Sequence, residues 1–495
     1  MSDSLKEIIN TLSEGDRYRF RTFIQREKPL RSRKDLALFE DLAAGKTISG
    51  DKKGTGPYHA VRRRLTDKLV QFISLRQQEE DATGGAGISG FITFARYLFD
   101  HNEERLAWRY LEKAEKKAEQ NEQYVLLHRI YSLMVDHSAS DHAPDLREVV
   151  RKRGANKVRM DEDERASIAA GLVLQELKRG RQQGGAPDID RTIDQVLKEY
   201  QLEDTVLKRP RLMYNILSIT RGQLLAKKEH HAFAPYAVRT YREALSQEGF
   251  SRHNHYYKLG FLYMVAHALY RNRDFAEAME YADQLGENMK SYDRAHYRQF
   301  YSRHVLLTAA LHCYMGNLRE SIGMLALALE EGLLPLKEAL NARLNLAIYY
   351  FLDGQVRLAI RTSAQTGLTD HRLEKLQGKE WVFKKNLMEA IALLEAGDED
   401  IAEGRIRAVE RKYSQMLKRP VYARVGIYIQ FIKKLLRAVP DARERERFFQ
   451  SMQESLVIMP EEEEDLQAMA FYAWMKARVN GRDFYGTLLE TVEKL

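Results

Sequence analysis

The sequence predicts an all-α protein, and three observations carry that expectation. Apolar residues recur at three- and four-residue spacing along nearly the whole chain, which is the period of an amphipathic helix and not the alternation of a strand. Only ten prolines interrupt the 495 residues, so long helical runs meet few breakers. Several segments also share one pattern of helix, tight polar turn and helix, and self-similarity of that kind decides an architecture before any single helix does.

In the first block, residues 1–80, the spacing predicts helices near 3–12, 14–26, 33–44 and 57–79, broken by the loop GKTISGDKKGTGP, which together make a small bundle. On a helix over 14–26, Phe20, Phe23 and Ile24 form one apolar stripe. Arg17 and Arg21 flank it on one side, Arg19 and Arg26 on the other. Their aliphatic stems suit the edges of the stripe while the guanidinium groups reach water. Arg62, Arg63, Arg64 and Lys68 put a second basic helix in the same block. A surface for nucleic acid or the ribosome is therefore the alternative reading of residues 1–80. The glycine-rich DATGGAGISG at 81–90 reads as a linker between this bundle and the remainder.

Beyond the linker the helices repeat. ALYRNRDFAEAMEYADQL (268–285), HCYMGNLRESIGMLALAL (312–329), YYFLDGQVRLAIRTSAQT (349–366) and LLEAGDEDIAEGRIRAVE (393–410) align on the small residues Ala278, Ser321, Ala359 and Ala402, roughly 40 residues apart. Gly316, Gly354 and Gly397 sit in the turns, and Phe275, Leu318 and Val356 follow as apolar residues. These units resemble tetratricopeptide repeats. The pattern departs from the family at Arg273, which stands for the turn glycine, at Glu399, which stands for the apolar residue, and in a spacing above the usual ~34 residues. Fainter copies occur at 97–120, with Ala107 in the small position, and at 479–495, where Arg-Asp-Phe repeats the turn of 273–275. Residues 144–250 hold helical segments of irregular length. The likeness covers about 91–135 and 208–495. The opening helices also resemble the start of helical-repeat proteins of Bacteroidota, a likeness that implies no activity.

The resemblance implies a right-handed superhelical α-solenoid over 91–495. It further implies that the first helix of each hairpin, between about 256 and 352, lines a concave face. Tyr263, His267, Tyr270, Arg271, Arg303 and Tyr314 then point into a groove and anchor another protein or a peptide. A plainer reading of the same tyrosines is that they pack one hairpin on the next. In the later hairpin Leu344 and Ile348 take the equivalent positions, so the groove turns apolar there.

Composition limits the remaining classes. Apolar residues make up 44% and charged residues 30%, and 79 Lys plus Arg against 71 Asp plus Glu leave +8. Such a balance permits an acidic partner without requiring one. The sole cysteine, Cys313, sits in an apolar helix and reads as a buried, inert thiol, which suits a reducing cytoplasm. The first twenty residues lack the apolar core of a secretory signal, and no run approaches the roughly 20 apolar residues of a membrane span.

Motifs with chemical potential are incomplete. Gly85, Gly87 and Gly90 satisfy G-x-G-x-x-G, but a polar helix end precedes them instead of a strand. Gly45-Lys46-Thr47 mimics a P-loop end, with Glu40 where its first glycine belongs. Asp136, His137, Asp141, His142 and Asp145 share one loop without the spacing of a metal site, and read as a solvated turn before a helix. His230, His231, His253 and His255 fall near helix starts, and the acidic run Glu461–Asp465 opens a helix whose dipole favours it. The expectation is a cytoplasmic interaction scaffold or adaptor with no catalytic residues, metal, cofactor or membrane contact.

Overall fold

The computed structural model describes residues 4–12, 14–25, 29–44, 56–80, 84–182, 189–202, 209–226, 233–246, 250, 252, 254–418, 423–437, 443, 446–447, 450–451 and 466–493. Arg26, Gly45-Lys46-Thr47, His230, His231, His253 and the run 461–465 lie outside the described residues. Among those described, the regular structure is all helical. No helix among them is long and apolar enough to cross a membrane. The chain forms two compact units, 1–161 and 162–495, and the division falls inside one long helix, Leu146–Gln182.

Unit 1 opens with α1 (Ser4–Thr11), α2 (Glu14–Gln25), α3 (Pro29–Ala43) and α4 (Gly56–Glu80), each close to its expected span. Their core is the predicted stripe and its counterparts. Phe20 and Ile24 are fully buried with Ile9, Phe39 and Leu65, and the Phe20 ring meets Phe39 edge-on at 5.0 Å and Phe72 at 5.2 Å. Arg17 and Arg21, beside the stripe, are tied to the bundle itself, while Arg19 is exposed. Arg21 forks onto Glu40, Arg17 donates to the Ile9 carbonyl at 3.3 Å, and Arg76 reaches Asp16 at 3.2 Å.

Residues 85–90 of the glycine segment are helical. α5 (Gly85–Asp100) starts within it, directly after Gly84 in a left-handed conformation with φ 72°. Ile88 and Ile92 are buried, and that burial draws Gly85–Gly90 into helix. A helical G-x-G-x-x-G offers no phosphate loop. α5 pairs with α6 (Glu104–Gln120), where Ala107 is fully buried, and α7 (Tyr124–Asp136) packs on both. The histidine and aspartate loop 136–145 serves this packing. His137 stacks on Phe99 at 3.8 Å, Trp108 Nε1 donates to Ser140 Oγ at 3.1 Å, and Asp145 Oδ1 accepts from the Arg147 amide at the start of α8 (Leu146–Gln182).

Unit 2 continues with α9 (Ile189–Glu199), α10 (Pro210–Ala226), α11 (Phe233–Ser246), α12 (His255–Asn272), α13 (Phe275–Asn288), α14 (Tyr297–Tyr314), α15 (Leu318–Glu330), α16 (Leu336–Leu352), α17 (Val356–Ala364), α18 (Asp370–Gln377), α19 (Lys379–Glu395), α20 (Glu399–Leu417), α21 (Ala423–Arg437), α22 (Leu466–Asn480) and α23 (Phe484–Glu493). Backbone packing is strongest between consecutive helices and between helices two apart in the chain. Ala278, Ser321, Ala359 and Ala402 are all fully buried, where a small side chain lets paired helices approach. Ser321 Oγ completes its crossing with a 2.8 Å bond to the Ala309 carbonyl.

One turn geometry recurs. Arg273, Gly316, Gly354 and Gly397 take left-handed φ values of 71°, 89°, 74° and 82°. The next amide bonds back five residues in each case: Asp274 to Leu269 at 3.0 Å, Asn317 to His312 at 2.8 Å, Gln355 to Tyr350 at 2.8 Å and Asp398 to Leu393 at 2.9 Å. This is the Schellman closure of a helix end. Unit 1 repeats it at Asn102 and Glu122. In the final hairpin the helix starts at Phe484, as the Arg-Asp-Phe match implies, but the left-handed position is taken by Gly481, one residue before the counterpart of Arg273. Glycine enters that region without a Cβ penalty, so it sets the register of the turn.

Candidate functional site

Tyr263, His267 and Tyr270 follow one another at four- and three-residue steps on α12 and therefore share a face. Their rings form a continuous, half-buried row. Tyr263 to His267 is 5.7 Å, His267 to Tyr270 is 6.2 Å, and Tyr270 to Tyr314 on α14 is 6.1 Å. Phe275 closes the row, stacked on Tyr314 at 5.4 Å. At the other end two guanidinium groups approach the Tyr263 ring, Arg221 at 5.0 Å and the exposed Arg303 at 5.6 Å. An aromatic row ended by cations offers broad contact area at low rotamer cost. Five of the six residues expected on this face thus come together. Arg271, one residue beyond Tyr270, is turned about 100° away from the row. Arg221 joins it unforeseen, because α10 lies in the stretch 144–250, whose helical segments are irregular in length.

Past Tyr314 the face is covered by the chain itself. α22 and α23 lie over α14, α16 and α19, and a cavity of about 100 Å³ remains between them, lined by Tyr270, Tyr314, Ile348, Phe351, Trp474 and Phe484 among others. Leu344 and Ile348, the apolar counterparts of the aromatic positions, face this space. Trp474, Phe484 and Tyr485 went unread as site residues, since nothing local to 466–493 states where that hairpin docks. Cys313 lies beneath it, buried, with its thiol pushed up to about 12 by that burial.

The basic helix of residues 1–80 is partly committed to the fold. Asp35 is fully buried and receives Lys68 Nζ at 2.8 Å and Arg64 at 3.0 Å. Lys68 is only 6% exposed and cannot reach a phosphate, which removes it from the nucleic-acid set. Arg62 donates to the Tyr58 hydroxyl at 3.5 Å, and Arg63 is exposed. Among the described residues, no group of histidine, cysteine and carboxylate side chains gathers as a metal site.

Fold and face together define, among the described residues, an all-α protein in which one turn geometry recurs between helices and aromatic and cationic side chains gather on one face. The sequence matches no protein-family model and none of the curated proteins.

Proposed function

We propose that residues 91–495 are a tetratricopeptide-like α-solenoid and that the protein is a scaffold or adaptor, holding another protein or a peptide on the face of its first helices without a catalytic step. The row Tyr263–His267–Tyr270–Tyr314, with Arg303 and Arg221 at one end, carries this reading. Tyrosine and arginine dominate interface energies because they bring large contact area with few rotatable bonds. A cytoplasmic setting accords with one buried thiol and no other cysteine. Nucleic-acid binding by residues 1–80 is the weaker reading, because Arg64 and Lys68 are spent on Asp35.

The test is affinity against stability. A partner is captured with the full chain, and its Kd is then measured for Tyr270→Ala and Arg303→Ala. Each is expected to cost about 1–3 kcal/mol of binding with the melting temperature nearly unchanged. A lowered melting temperature with unaltered affinity would reduce the tyrosines to packing residues.

A further inference from the structure

Helix α5 and its C-cap carry a row of rings that the fold leaves in contact with water. Phe91, Phe94, Tyr97 and His101 follow at steps of three, three and four residues and so share one face. Phe94 is 42% exposed and Tyr97 53%. Their rings lie nearly parallel at 6.4 Å, and His101 continues the row 4.1 Å from Tyr97. From α6, Tyr110 meets Phe94 edge-on at 4.8 Å and Phe91 at 5.8 Å. Lys113 and Lys117 share the side of α6 that bears Tyr110. Both are exposed, Lys113 over the Tyr110 ring at 4.9 Å and Lys117 over Phe91 at 5.6 Å. None of these ring and lysine positions is acidic. Glu103, the cap residue of α6, is the first acid in line with them and stands at the end away from Lys117. Gly87 and Gly90 precede Phe91 and Phe94 by one helical turn on the same side of α5. A Cβ at Gly90 would meet nothing within 4 Å, and one at Gly87 only the Lys117 ammonium at 3.8 Å. Packing within the chain therefore does not require glycine at either position, although glycine weakens a helix. Bare backbone beside exposed rings does suit the close approach of a ligand.

We propose that this face of α5 and α6 binds single-stranded nucleic acid, with bases stacked on Phe94 and Tyr97 and phosphates held by Lys113 and Lys117. The site is separate from the aromatic row of α12 and α14, and it does not depend on the scaffold reading. Every base has a π-face, so exposed rings accept a strand without reading its sequence, and cations beside them neutralise its backbone. A duplex keeps its base faces stacked inside, which restricts the ligand to single strands. Charge and shape favour this occupant over the others. A second copy docked through the same patch brings both sets of lysines into one interface without matching carboxylates. An apolar helix desolvates the ammonium groups and gives them no partner. Acidic side chains satisfy the lysines but leave the rings unused. A nucleotide strand supplies anions and flat apolar rings in alternation, as the face does with lysines and aromatics.

The test is fluorescence anisotropy of the full chain with a labelled oligouridylate of about 12 nucleotides. Binding is expected at low salt, with log affinity falling against log salt at a slope of about −1.4, the value for two phosphate contacts on a single strand. Lys113→Gln together with Lys117→Gln should flatten that slope. Phe94→Ala and Tyr97→Ala should each lower affinity about tenfold, the effect of losing one base stack. An abasic strand of the same length should bind more weakly by about tenfold or more. Gly90→Glu adds bulk and negative charge where a side chain has room. It should weaken binding by a similar factor with the melting temperature unchanged, which separates a blocked face from a lost fold. Equal binding of the abasic strand, or equal competition by polyglutamate, would assign the face to charge alone and overturn the proposal. Binding that survives Gly90→Glu but is lost in Arg62→Ala with Arg63→Ala would overturn it in favour of the first bundle. No binding at low salt also overturns it, as does a dimer that Tyr97→Ala converts to monomer, which would give the face to a second copy.

Discussion

Asp35 carries the clearest energetic commitment of any single residue in unit 1. A fully buried carboxylate is tolerable only when paired and hydrogen-bonded, and Lys68 and Arg64 meet both of its oxygens. Asp35→Ala removes the carboxylate that neutralises the buried Lys68 ammonium, so a loss of roughly 3–5 kcal/mol is expected in chemical denaturation. Adding Lys68→Met removes that buried cation and should recover most of the loss; no recovery would show that the pair is not the cause. The basic helix was legible in the sequence, but its partner was not. Arg64 and Lys68 are 29 and 33 residues from Asp35, and nothing local separates a cation aimed at water from one aimed at a buried acid. Residue identity alone therefore overstated the free positive charge of residues 1–80.

Helices and turns were the most legible level. Their periodicity, small-residue positions and turn glycines depend on interactions within a few residues, so α1 to α4 and the four aligned hairpins fall close to expectation. The left-handed turn makes a direct test. A Cβ at Gly354 or Gly397 meets no atom within 4 Å, so Gly354→Ala and Gly397→Ala incur only the backbone penalty, about 1–2 kcal/mol each. Gly323 and Gly404, inside α15 and α20, also have open space around a Cβ, and there alanine should stabilise by roughly 0.5–1 kcal/mol. Thermal melts of the four variants check the opposite signs. Equal effects at all four would refute the assignment of the turns. Local composition does not show that Gly85–Gly90 are helical, since the burial of Ile88 and Ile92 in α5 is a tertiary effect.

At the scale of the whole molecule, acid should act before alkali. Burial holds the His255 and His304 imidazoles below their ordinary value, against the opposing bonds to the backbone of Asn288 and Ala282. Both histidines are thus neutral when folded, and the unfolded chain takes up their protons first. Their contribution is complete above the ordinary histidine value of about 6.5 and is lost as pH falls below it. Burial alone would raise the Glu374 carboxyl, but bonds from Lys412 and Tyr413 outweigh it and hold it low. Its contribution disappears further into acid. Calorimetry from pH 8 to 4 should show melting temperature falling from about pH 6.5 downward, with a shallower fall in His255→Gln; a flat profile between 7 and 5 would contradict it. The sequence by itself determined the all-helical class, the hairpin pairing and the turn geometry, because those follow from periodicity and backbone sterics within a few residues. Tertiary structure alone decided that α22 and α23 cover the ends of α14, α16 and α19, that Arg221 joins the aromatic row, and that the compact units part inside α8. Many apolar helix faces in this chain are alike in composition. Which of them meet depends on shape and summed burial across residues hundreds of positions apart, a quantity that no local pattern encodes.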